Sequence, residues 1–169
     1  MTNGFDEAWL KRYQQLHGTT ETTSPERMEG RWAAGRADDL GDYYFKSSWE
    51  RNVGRYLNWL VSRGEIFRWE YEPDTFWFNS ILRGVRSYKP DFKVWEREDS
   101  IPYYNEVKGY MDGRSKTKLR RMKKYYPTVR VDVLDAAQYR ALAQTIGPLL
   151  PHWEQEAGGR FGGKRKTLI

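Results

Sequence analysis

The chain has no cysteine and only two histidines, His17 and His152, among 169 residues. Without cysteine there can be no disulfide staple, thiolate metal site or cysteine nucleophile. An intracellular compartment is the expectation that follows. Two histidines so far apart in sequence also exclude a nuclease built on clustered imidazoles. Long apolar runs are missing too, so neither a signal peptide nor a transmembrane helix is expected, and no membrane partner. No internal repeat is visible.

What the chain does hold is aromatic bulk. Eight Trp, twelve Tyr and seven Phe can supply the core of a single middling domain although only 38% of residues are apolar. The formal charge of +6 is unevenly spread. Residues 1–42 carry five Lys/Arg against eight Asp/Glu, a net of −3, and residues 43–169 carry twenty-four against fifteen, a net of +9. A basic body of this kind attracts polyanions, nucleic acid above all.

The pattern divides the chain into an appendage over 1–42, a folded unit over 43–150 and a glycine-rich basic tail over 151–169. "DEAWLKRYQQL" predicts a short helix at 6–16, followed by a polar linker. "SSWERNVGRYLNWLVSRG" places Trp49, Val53, Leu57 and Leu60 on one helical stripe, with Gly64 as its stop. "EIFRWEYEPDTFWF" reads as strand, with a turn near Pro73-Asp74 and a hairpin return through "VRSYKPDFKVWE". "SIPYYNEVKGY" is a third strand and "SKTKLRRMKKYYP" a helix with Leu119, Met122 and Tyr125 or Tyr126 inward. "VRVDVLD" is a fourth strand and "AAQYRALAQTI" a last helix. Helix, three strands, helix, strand, helix predicts an α/β fold: a central mixed sheet flanked by helices, with an aromatic-rich hairpin.

Two short stretches carry chemistry. "YKPDF" presents Asp91, and "YNEVKG" presents Glu106 and Lys108 two apart, so both leave the same face of their strand. If the two strands are neighbours, two carboxylates and an ammonium meet. Paired hard oxygens suit Mg²⁺, or Mn²⁺ in its place, completed by water and phosphate. A cation held there can activate water and offset charge on a phosphodiester, with the lysine assisting. A fourth group is Glu50. Ser47-x-x-Glu50 is a capping box at a helix start, yet a carboxylate on a helix packed across the sheet is also where a further ligand would come from. Glu70 and Glu72 alternate with Trp69 and Tyr71 and are expected to face solvent. The aromatics of this run are expected in the core or at a dimer interface.

These residues resemble the PD-(D/E)XK nuclease superfamily, within it the Holliday-junction resolvases of the archaeal type and the phage endonuclease I group. The first share a lysine-x-serine-x-x-glutamate-arginine-asparagine run, matched by Lys46, Glu50, Arg51 and Asn52 with Ser48 one place out of register. The second share an aromatic-rich hairpin, then Tyr88, Pro90, Asp91 and Phe92, then Glu106, Lys108 and Gly109. The likeness spans roughly 46–135. It implies that Glu50, Asp91 and Glu106 hold one or two Mg²⁺ with the carbonyl of Val107, and that Lys108 assists the attacking water. It also implies a homodimer cutting branched DNA, with a viral source suggested by the phage enzymes. The misplaced serine leaves Ser47 and Ser48 without a catalytic role, and residues 1–42 and the final "GGKRK" have no counterpart.

Lys116, Lys118, Arg120, Arg121, Lys123 and Lys124 put six cations into nine residues just after the Glu-x-Lys strand. A solvated helix face balances lysine with glutamate, whereas no acid occurs between Gly113 and Val131. These six are therefore the expected DNA contacts, with Arg83 and Arg86 possible additions on the hairpin side. An RNase H-like resolvase would open with a strand run and needs no essential lysine. The alternatives kept open are a nuclease of the same class acting on linear or single-stranded DNA, and a non-catalytic nucleic-acid-binding module. No small-molecule substrate is expected. Little chain is left for reading bases, which favours structure-specific cutting.

Overall fold

A computed structural model describes residues 33–155. The helix expected at 6–16 and the tail beyond 155 lie outside the described residues. The first helix, α1 (Ser48–Ser62), begins where Ser47 caps it by accepting the Glu50 backbone N–H at 3.2 Å. It ends at Gly64, whose φ of 71° is the left-handed conformation that glycine adopts without strain. Its stripe of Trp49, Val53, Leu57 and Leu60 is buried, as the spacing predicts.

Among the described residues six strands follow rather than four: β1 (Arg68–Tyr71), β2 (Phe76–Trp77), β3 (Ser87–Tyr88), β4 (Phe92–Trp95), β5 (Tyr103–Lys108) and β6 (Val131–Asp135). Helix α2 (Gly113–Tyr125) joins β5 to β6, and α3 (Ala136–Thr145) follows β6. The main sheet runs β1-β4-β5-β6. Its first two pairings are antiparallel and β5–β6 is parallel, because α2 carries the chain back to the starting end. The result is α/β with a mixed four-stranded sheet flanked by helices.

The aromatic hairpin is interrupted. β1 pairs with β4 in the main sheet, while β2 pairs with β3 in a separate two-stranded ribbon. Four residues, 72–75, stand between β1 and β2, against three, 89–91, between β3 and β4. The extra residue makes a bulge. Glu72 absorbs it at φ 45°, and its backbone N–H donates to the Asp91 carbonyl at 2.8 Å. The turn expected at Pro73-Asp74 is this bulge, and Pro90, with no N–H to give, ends the ribbon on the other strand.

Alternation along β5 divides the interior in two. Val107 joins Phe92, Val94 and the α1 stripe in one core, with Tyr139 of α3 stacked on Trp49 at 3.9 Å between ring centroids. Phe78, Tyr88 and Met122 form a second core between the ribbon and α2, flanked by Leu119, Tyr125 and Tyr126 as the periodicity predicts. Residues 33–42 and 151–155 also pack on this body: Leu40 and Trp153 belong to the first core. Among the described residues no helix is long and apolar enough to cross a membrane.

Candidate active site

The β4–β5 register sets Phe92 opposite Asn105, so one step further brings Asp91 beside Glu106 where the ladder ends. The bulge has turned Asp91 out of the pairing. Its carboxylate replaces a backbone acceptor instead, taking the Val107 N–H at 2.7 Å on Oδ2. Glu106 and Lys108 project from the same face of β5, and their charged ends meet at 2.7 Å. The other Glu106 oxygen accepts from the Tyr88 hydroxyl at 2.9 Å. Asp91 is 6% exposed and Glu106 3%.

Glu50 reaches the same place from the first turn of α1. A cleft of about 500 Å³ is lined by Glu50, Asp91, Glu106, Val107 and Lys108 together, with Lys46, Lys89 and Lys118 also on its wall. Glu50 does double duty. Its Oε1 accepts from the Ser47 hydroxyl at 2.9 Å, while its Oε2 accepts from the Lys46 backbone N–H at 2.9 Å and from Tyr71 Oη at 2.5 Å. The capping contact thus goes to Lys46 rather than to Ser47, and the carboxylate closes the helix start from inside the cleft.

Three carboxylates so close, and so buried, repel. Burial first, then Glu106 and Glu50, push Asp91 well above the usual carboxylate range, against the pull of the Val107 N–H and of Lys108. Burial works against the Lys108 ammonium, but Glu106, Asp91 and Glu50 outweigh it and hold the lysine above its ordinary value. Burial and the adjacent carboxylates likewise keep the Tyr71 and Tyr88 hydroxyls protonated. Among the described residues no group of three or more His, Asp or Glu already stands as a cage for a metal ion. Lys108, Tyr88, Tyr71 and Ser47 occupy the oxygens of Glu106 and Glu50. Asp91, with one hydrogen bond from Val107, is the least committed donor.

Of the six cations expected at DNA, Lys118 lines the cleft. Lys116, Arg120 and Lys123 surround a shallower hollow further along α2 with Met111 and Leu119. Arg121 turns inward to donate to the Val85 carbonyl, so it braces the ribbon, and Lys124 is exposed. Arg51 and Asn52, which match the resolvase run, point away from the cleft. Arg51 clasps Glu154 through two bonds of 2.6 Å, and Asn52 binds Tyr139. Glu72 does not face open solvent. It is paired with Lys46 and with Lys89 Nζ at 3.8 Å, at the rim. In the sequence Lys46 stands out only as part of a motif, and Lys89 carries no assigned role. The signal for Lys89 was its place one residue before Pro90-Asp91. Compared with protein-family models, curated proteins and solved structures, the chain has no significant match.

Proposed function

We propose that this chain is a Mg²⁺-dependent DNA endonuclease of the PD-(D/E)XK type, and that its substrate is a four-way DNA junction resolved by a homodimer. The observation that carries the enzyme reading is the convergence of Asp91, Glu106, Lys108 and Glu50 in one cleft. A sheet end offers no structural reason to bury three carboxylates beside one ammonium, since that arrangement destabilises the fold. The basic body supports nucleic acid as the partner. The junction and the homodimer rest on the resemblance of residues 46–135 to the resolvases.

Carboxylate oxygens are the donors a hard divalent cation prefers, and Glu50, Asp91 and Glu106, with Val107, are the residues on the cleft wall that would hold one. When bound, Mg²⁺ would supply activation of water and neutralisation of charge at the scissile phosphate. The protein residues do the rest. Val107 N–H fixes the orientation of Asp91. Glu106 holds the Lys108 ammonium, whose remaining N–H bonds can orient the attacking water or meet a phosphate oxygen. Lys46, Lys89 and Lys118 draw the backbone towards buried acids that would otherwise repel it. In-line attack of water breaks one P–O bond and leaves a 5′-phosphate and a 3′-hydroxyl.

The test sets labelled four-way junction beside matching linear duplex, with Mg²⁺ or EDTA, using the parent chain and Asp91→Asn. Paired, symmetric nicks in the junction alone, absent in EDTA and in the variant, are expected. Equal cutting of the linear duplex would retain the nuclease and remove the resolvase. Tight binding with no cutting under any metal would reduce the chain to a binding module.

A further inference from the structure

A second hollow, of about 590 Å³, adjoins the carboxylate cleft, and the two share Lys108, Asp112, Ser115 and Lys118 on their walls. They therefore form one furrow. It leaves the buried acids and runs between the stretch 84–87, which leads into β3 of the ribbon, and the start of α2. Arg86 stands on one wall and Arg114 on the other, with Lys118 between them and the cleft. Both arginines are exposed, and among the described residues no ion pair holds either of them or Lys118. The one acid in this stretch, Asp112, is committed to the α2 cap through the Ser115 N–H at 2.6 Å.

The walls are fixed in advance. Arg121 donates from α2 to the Val85 carbonyl, the Lys118 ammonium lies 5.8 Å from the Tyr88 ring centre, and Met122 packs with Phe78 and Tyr88 beneath. Gly84, at φ 79° and with open space where a Cβ would stand, lets that stretch fold back tightly beside this wall.

We propose that this furrow seats the DNA strand next to the scissile bond, with Arg86 and Arg114 grasping one or two neighbouring phosphates from opposite sides. The seat deepens the nuclease reading, on which it rests for the position of the cut. Guanidinium forks suit phosphate oxygens. Contacts to phosphate fix register without reading bases, so recognition through this seat is sequence-independent. The strand then enters on the side of Lys46 and Lys89 and leaves on the side of Arg86 and Arg114. That makes the enzyme one that needs nucleotides on both sides of the cut.

The experiment uses the full chain, the double variant Arg86→Ala/Arg114→Ala, a charge-matched control Arg97→Ala/Arg140→Ala at two exposed sites outside the furrow, and Asp91→Asn. Each is titrated into fluorescein-labelled junction and duplex in EDTA over a range of salt, then assayed in Mg²⁺ under single turnover. The furrow variant is expected to bind about tenfold or more weakly, with the slope of log Kd against log salt shallower by about 1.5 to 2. The control stays near the parent, and matched thermal melts establish that all four fold. Equal weakening in both double variants would overturn the seat in favour of a general charge effect. Unchanged binding by the furrow variant, with cutting lost only in Asp91→Asn, would overturn the seat and leave the nuclease standing. Weakened binding by the furrow variant, in a parent that never cuts, would support the seat and reject the nuclease. A parent that binds no DNA would reject both.

Discussion

Between Pro90 and Phe92, a carboxylate at 6% exposure faces two others with one ammonium to offset them. Residues placed for chemistry commonly cost stability, and replacing them by neutral isosteres often recovers it. Asp91→Asn keeps an oxygen for the Val107 N–H and removes one of the charges that Glu106 and Glu50 repel. The variant is therefore expected to be more stable than the parent in EDTA at neutral pH, by about 1 kcal/mol, while the proposed cleavage is lost. Urea denaturation monitored by tryptophan fluorescence checks this. A variant less stable than the parent would mean that the aspartate is held for structure. This trio was legible in the sequence because a Glu-x-Lys on a strand fixes a common face, and because an acid after proline sits where pairing stops. What the residues could not tell was that Tyr71, outside either motif, and Tyr88, at the start of the first, would hold Glu50 and Glu106 in place. Tyrosines in an aromatic run give no sign of where a hydroxyl ends up.

At the scale of elements, α1 was the easiest to read and holds a consequence for the site. Its cap and its inward acid are the same turn: Ser47 Oγ accepts the Glu50 N–H and donates to the Glu50 carboxylate. Ser47→Ala should cost about 1 kcal/mol through the lost cap. It should also reduce the proposed cleavage modestly, well short of the effect of Asp91→Asn, because Lys46 N–H and Tyr71 still hold the other oxygen. Denaturation and single-turnover rates on one preparation separate the two effects. A variant with full stability and no cleavage would instead assign Ser47 a direct part in the reaction. The interruption of the hairpin was hidden. An unbroken aromatic stretch predicts unbroken strand, and nothing in "WEYEPDTFWF" announces that one residue too many lies opposite Pro90. The cation-rich α2 is a helix by its periodicity, yet its charges do three different jobs. Arg121 braces the ribbon, Lys118 enters the cleft, and the others face outward. A helix with cations on all its polar faces carries no sequence mark of which face meets the ribbon.

For the molecule as a whole, residues 151–155 close the fold. Gly147 leaves room for the Trp153 ring, which would come within 2.8 Å of any Cβ there. One residue later Glu154 binds Arg51 and Arg55, and Arg55 also binds Asp39 at 2.7 Å. Segments from both ends of the described chain are thus tied to the back of α1, around an Arg51 side chain that is 1% exposed. The sequence offered no periodicity for this, since a lone glutamate in a polar stretch beside a glycine-rich tail reads as surface. Burial works against the Glu154 carboxylate, but hydrogen bonds and charge from Arg51 and Arg55 outweigh it and hold the group below its ordinary value of 4.5. A group lowered in the folded state stabilises fully above its unfolded value and stops doing so as pH falls through its folded one. The parent should therefore keep this contribution at neutral pH and lose it progressively below about pH 4.5. Glu154→Gln should start about 2 kcal/mol less stable at pH 7, because Arg51 and Arg55 lose the carboxylate charge they share. Its stability should then fall less steeply than that of the parent between pH 5 and the acid limit. Denaturant titrations at a series of pH values measure both curves. Parallel curves would mean that the loss is one of packing, and that the clasp between α1 and Glu154 is not electrostatic.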